Sequence, residues 1–155
     1  MAVALIVSVP SGRSAGAAET ASPEGDCLAG GEHPHLQVTV EDIRSTKGNV
    51  KISVYGGRPE DFLAKGRKVA KLRIPARPGT VKGCIDLPGP GVYALAAYHD
   101  EDGDRHLTRG LFGLPSEGYA FSNDPPVLLG VPSFDAVAFR ASQTVTPVFL
   151  RMHYP

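Results

Sequence analysis

The sequence predicts an all-β fold, an antiparallel β-sandwich of about seven short strands with one long irregular loop and one short helix before the last strand. Three observations carry that expectation. Apolar residues recur at alternate positions in several short runs, the period of a strand with one buried face. Turn formers punctuate those runs, with 18 Gly and 14 Pro in 155 residues. No stretch keeps a long helical period, while 42% hydrophobic residues are enough for one core.

The N-terminal run Ala2 to Val9 is apolar and leads into Ala15, Gly16 and Ala17, the small-residue order of an export cleavage site. Residues 1–17 therefore read as a signal peptide, cleaved after Ala17, although no Lys or Arg precedes the apolar run. Residues 18–34, rich in Ala, Ser and Gly, read as a flexible lead-in, and residues 35–155 as a single sandwich domain. The apolar run is shorter than the roughly 20 residues that span a bilayer, so no membrane insertion is expected after cleavage. The expected address is exported, periplasmic or secreted.

Leu36, Val38 and Val40 face one way in the first strand. Val50, Ile52 and Val54 repeat the pattern opposite Lys51, Ser53 and Tyr55, after a turn at Lys47, Gly48 and Asn49. Gly56, Gly57 and Pro59 stop that strand, and Pro59 to Lys65 suits one short helical turn. Leu72 and Ile74 alternate with Lys71 and Arg73, then Pro75 and Pro78 turn the chain into a strand from Val81 to Leu87. Val92 to Tyr98 is apolar on both faces, as in a central strand. Beyond Asp104 the alternation lapses for roughly thirty residues, longer than a passive connection usually runs. Ser133 is placed to cap a short helix within Pro132 to Phe139. In the last strand Val148, Leu150 and Met152 point inward, opposite Phe149, Arg151 and His153.

Sixteen basic and sixteen acidic residues give zero formal charge, which removes the footprint of a protein that grips nucleic acid or anionic lipid. The two cysteines, Cys27 and Cys84, read as one disulfide in an exported chain. Cys84 has the opposite parity from Ile85 and Leu87, so its sulfur is expected off the core face.

Candidate chemistry gathers after the central strand. Asp100, Asp102 and Asp104 alternate on a loop containing Gly103, a spacing by which carboxylates converge on calcium. The loop departs from an EF-hand: Arg105 stands at the sixth position, Thr108 at the ninth and Leu111 at the twelfth. His99 with Glu117 or Asp100 forms a conceivable acid–base pair, and His99 with His106 a conceivable pair of transition-metal ligands. The plainer reading of His99 is a strand-end residue whose ring bonds loop carbonyls or a carboxylate. Tyr119, Phe121 and Phe134 either line a ligand groove or pin the long loop to the sheet. Ser122, Asn123 and Asp124 suit turning and capping of the backbone. His33 and His35, around Pro34, belong to the lead-in. No GxSxG, P-loop, GxGxxG or HExxH occurs.

The segments IRSTKGNVKISVY, GVYALAAYHDEDGD, GLPSEGYAFSND and PSFDAVAF, in that order, resemble the bacterial exported family known as domain of unknown function 2141. Members typically read HDENGNGKLD where this chain has HDEDGDRHLT, so the second Gly is Arg105 and the closing Asp is Thr108, which weakens a metal site carried over onto Asp100, Asp102 and Asp104. The resemblance implies an envelope or secreted sandwich of the immunoglobulin or transthyretin-like kind, and no reaction. The expected function is a non-enzymatic binding or structural module of the bacterial cell envelope, with loops 99–124 as recognition face. His99, Glu117, Tyr119, Phe121, Ser122 and Asn123 are the candidate ligand residues, and the partner is a small molecule, a glycan or an envelope protein. The alternative is a small metal-assisted hydrolase using His99, Asp100, His106 and Glu117. No resident cofactor is expected, and calcium is the candidate ion.

Overall fold

The computed structural model describes residues 21–22, 27, 33–109, 115–127 and 130–155. The proposed signal peptide and most of the lead-in lie outside the described residues. Among those described, nine strands form two sheets. The strands are β1 (Ala21–Ser22), β2 (His35–Ile43), β3 (Asn49–Tyr55), β4 (Lys68–Pro75), β5 (Gly79–Asp86), β6 (Gly91–Asp100), β7 (Gly118–Phe121), β8 (Phe139–Ala141) and β9 (Val145–Arg151). One sheet runs β1-β5-β2-β9; the other runs β4-β3-β6-β7, with β8 paired to the start of β6. Two layers with apolar inner faces make the sandwich that the alternation predicts.

The inward residues are those of the period-two pattern. Leu36, Val38, Val40, Val50, Ile52, Val54, Leu72, Ile74, Val148, Leu150 and Met152 all belong to one buried core. Their neighbours on the other parity meet solvent or a cover, as with Phe149, which is 62% exposed. The Cys27–Cys84 disulfide forms, with Cα atoms 5.3 Å apart, and Cys84 sits on the outward parity between buried Gly83 and Ile85. It carries the N-terminal segment to β5, where Ala21 and Ser22 pair with Ile85 and Cys84. The lead-in composition gave no sign of that pairing.

Three features differ from the sequence expectation. The sandwich is not wholly antiparallel, because β9 pairs parallel with β2 from His35↔Val145 to Glu41↔Arg151. A parallel pair needs a crossover between its strands, and here it is the rest of the domain. The segment carrying Tyr119 and Phe121 is a strand rather than loop, since β7 pairs antiparallel with β6 from Ala96↔Phe121 to His99↔Gly118. Its inward residues are Gly118 and Ala120, too small to register as an apolar alternation. Finally, β8 closes over the start of β6 with three residues.

The short helical elements cover the outer face of the second sheet. A 3-10 turn at Pro59–Asp61 brings in Phe62, and the helix α1 (Phe134–Val137) brings Phe134 and Val137 onto Ala94. Phe62 packs edge-on against Tyr55, Phe121 and Phe134 at 5.4, 6.2 and 6.1 Å between ring centroids. Ser133 takes the N-cap position of α1 with extended backbone, but its side chain makes no cap hydrogen bond.

Candidate functional site

The end of β6 places two successive polar residues on opposite faces of the sheet, as a strand must. His99 follows Leu95 and Ala97 onto the inner face; Asp100 follows Ala96 and Tyr98 onto the outer one. Both are 0% exposed. The His99 Nε2 lies 2.8 Å from the Lys47 carbonyl, and its Nδ1 lies 2.8 Å from the Tyr154 hydroxyl. A carbonyl only accepts, so the ring proton sits on Nε2 and Nδ1 accepts from Tyr154. The Tyr154 oxygen in turn accepts the Arg44 amide at 3.1 Å. This ring is a structural bolt between the turn before β3 and the C-terminal residues.

The same bolt organises the charges around it. The Arg44 guanidinium lies 4.4 Å over the Tyr154 ring and grips Glu101 with Nε at 3.1 Å and Nη2 at 2.5 Å. Ser45 Oγ donates to the same carboxylate at 2.8 Å. The Arg44 contact, opposed by burial and helped by Ser45, holds the Glu101 carboxyl down at about 2.

On the outer face, Lys51 Nζ lies 2.8 Å from Asp100 Oδ2. It neutralises that oxygen from the side without the angle of a hydrogen bond, so the buried Oδ2 has no aligned donor among the described residues. The Arg105 amide reaches Oδ1 at 3.4 Å. Burial pushes the Asp100 carboxyl up, but Lys51 and the loop amides prevail and leave it below its ordinary value. Glu117, 5% exposed, spans the acidic turn: Oε1 accepts from the Glu101 amide at 3.1 Å and Oε2 from the Thr108 amide at 3.0 Å. Asp102 Oδ1 accepts the Asp104 amide at 3.0 Å, and Asp104 Oδ1 the His106 amide at 2.7 Å. Arg105 keeps a left-handed backbone with φ 69°, so this position holds the glycine-type conformation despite its side chain.

Of the candidate metal set, the structure brings together Asp100 and Asp102 but joins them to Glu117 rather than Asp104. One carboxylate oxygen from each of these three lies within 4.8 Å of the others. The acid–base grouping is not assembled. His99 and Asp100 point to opposite faces, His106 is exposed, and Glu117 is committed to backbone amides.

The remaining candidates act on the fold. Ser122 Oγ donates to the Val137 carbonyl at 2.5 Å and accepts from the Leu95 amide at 2.9 Å. Asn123 Nδ2 donates to the carbonyls of Ala136 and Ala138 at 3.2 and 2.8 Å. Ser122 thus ties α1 to β6, and Asn123 ties α1 to the turn after β7. Tyr119 stacks near Phe121 and His153 at 6.2 and 5.9 Å, and His153 reaches Asp124 at 2.5 Å. Phe121 and Phe134 join the aromatic cover, the pin reading. His35 pairs with Asp86 at 2.6 Å, while His33 is exposed.

Sequence reasoning missed a cationic groove of about 970 Å³ beside the acidic turn, lined among others by Lys51, Lys68, Lys71, Arg73, Tyr98 and Arg105. Pairing supplies it: Lys51 sits opposite Arg73, and Ser53 opposite Lys71. Burial, then the charges of Lys71 and Lys51, push the Lys68 ammonium below its ordinary value. The alternation of charged with apolar residues in β4 was visible, but the neighbour that completes the groove was not.

Among the described residues no helix is long and apolar enough to cross a membrane. Neither the curated proteins nor the solved structures include a match to this chain. A family model does match, over residues 38–148, which contain the acidic turn and His99 but not its partner Tyr154. The chain belongs to the bacterial family described as "Uncharacterized protein conserved in bacteria (DUF2141)".

Proposed function

We propose that this protein is an exported, non-enzymatic binding module of the bacterial cell envelope that holds an acidic polysaccharide in the groove beside loops 99–124. The observation that carries the reading is the crowding of Lys68, Lys71 and Arg73 around Lys51, with no ion-pair partner for those first three among the described residues and with the Asp86 carboxylate of the same lining paired to His35. Uncompensated cations that share a concave surface attract carboxylate groups, and a strand spaces alternate charges by about 7 Å, suited to an extended chain. Tyr98, whose hydroxyl donates to the Arg105 carbonyl at 2.9 Å, forms the rim shared with the acidic turn. The apolar start with its AxA-type ending and the Cys27–Cys84 bridge support export.

Edge lysines also discourage edge-to-edge strand pairing, and the experiment separates the two roles. Purified mature chain is titrated with polygalacturonate and with neutral dextran at low and high salt. Binding to polygalacturonate that weakens with salt, and falls at least tenfold in Lys68→Gln/Lys71→Gln, is expected. Equal binding to dextran, or an unchanged affinity in a double variant that merely self-associates, refutes the reading; tighter binding to single-stranded nucleic acid refutes the choice of partner. Export is checked by cell fractionation and N-terminal sequencing, with a chain processed after Ala17 in the periplasm or medium expected. An unprocessed chain confined to the cytoplasm overturns it.

A further inference from the structure

We infer that Asp100, Asp102 and Glu117 form a calcium-class cation site that clips the acidic turn to β7, independently of the groove and its ligand. One oxygen from each residue lies within 4.8 Å of the others. Oxygens about 2.3–2.6 Å from one calcium ion can stand up to about 5 Å apart, so a single ion reaches all three. Asp100 and Glu117 stand 17 positions apart in sequence, and the β6–β7 pairing at His99↔Gly118 together with the Arg109↔Pro115 bridge closes that distance.

Burial makes this more than an acidic surface. Asp100 is 0% and Glu117 5% exposed, and the buried Asp100 Oδ2 takes no aligned hydrogen bond among the described residues, its contact being the Lys51 ammonium at 2.8 Å. Buried like charges repel in a medium that screens them poorly. Three carboxylates bring three negative charges and Lys51 offsets one, leaving the two that a divalent cation carries. The oxygens are also positioned in advance: amides of Glu101 and Thr108 hold Glu117, and the Asp104 amide holds Asp102. An all-oxygen set selects a hard cation over zinc or copper, and its open, exposed side at Asp102 leaves room for the water ligands and irregular geometry that calcium tolerates better than magnesium.

Lys51 provides the decisive test, since its ammonium competes with any cation for Asp100. Chelator-stripped full-length protein is titrated with calcium chloride by calorimetry, and melting is followed with and without the ion. One calcium per chain and a raised Tm are expected. Asp102→Asn, an exposed change that leaves the fold intact, should weaken binding at least tenfold. Asp104→Asn, which keeps the acceptor for the His106 amide, should stay within twofold. Lys51→Met should tighten binding severalfold. Absence of both heat and a Tm rise overturns the inference. So does a loss in Asp104→Asn equal to that in Asp102→Asn, an unchanged affinity in Lys51→Met, or magnesium binding as tightly as calcium.

Discussion

Removing a single oxygen atom, in Tyr154→Phe, tests the bolt at the heart of this molecule. The ring stays, so the Arg44 stack at 4.4 Å and the packing against Gly118 survive. What disappears is the only donor to His99 Nδ1 among the described residues and the acceptor of the Arg44 amide. The two losses differ in size. The Arg44 amide is solvent-accessible and water replaces its partner, whereas His99 is 0% exposed and its nitrogen is left bare. Stranding a buried acceptor costs about 1–3 kcal/mol. For a domain of this size that is a fall in Tm of about 4–12 °C. Calorimetric melting at pH 7 measures it, and nitrogen NMR of the imidazole should show the Nε2-protonated tautomer in the wild type. A Tm within about 1 °C of wild type, set against that expected fall, or a proton found on Nδ1, would refute the assignment of His99 as a structural bolt.

Three further outcomes are expected. Replacing Cys27 and Cys84 with Ser, which opens a bridge of sequence separation 57, should lower stability by about 4 kcal/mol on the chain-entropy model; denaturant melts check it, and alkylation of the native chain should find no free thiol. Glu101 titrates at about 2 when folded against an ordinary 4.5, so its contribution is fully present above that ordinary value and fades as pH falls toward 2. The stability gap between wild type and Glu101→Gln should therefore be flat at neutral pH and shrink below 4.5; a gap that grows on acidification contradicts the Arg44–Glu101 pairing. Gly118→Ala places a Cβ 2.9 Å from Tyr154 Cδ1 and Cζ, so it should destabilise by about 1–3 kcal/mol, and by clearly less in a Tyr154→Ala background. Additive losses would show that the two positions do not share that space.

Much of the framework is legible residue by residue. Val50, Ile52 and Val54 announce an inner face because only a two-residue period buries all three, and the same holds for Leu36 to Val40 and Val148 to Met152. Gly48 marks the turn before β3: its φ is +64°, and a Cβ there would press on the Asp100 carbonyl carbon at 2.8 Å. The strand β7 was hidden because its inward positions are Gly118 and Ala120, chosen to fit under Tyr154 and beside β6 rather than to fill volume. The parallel pairing of β9 was hidden for another reason, since alternation states which face a strand buries and is silent on its direction.

The candidate site divides along the same line. Local chemistry marked His99, Asp100, Asp102 and Glu117 as the polar residues to watch, and an acidic turn following a central strand could be read directly. Their roles came from parity and partners. One step along β6 sends His99 into the core and Asp100 to the outer face, and the fold brings Glu117, 17 residues on from Asp100, rather than Asp104, to Asp100 and Asp102. Sequence determined the layers, the core and the disulfide, because burial period and residue type are local properties. Only tertiary structure decided which charges meet, because a carboxylate's task is set by whatever the fold places within a few ångströms of it, and those neighbours are remote along the chain.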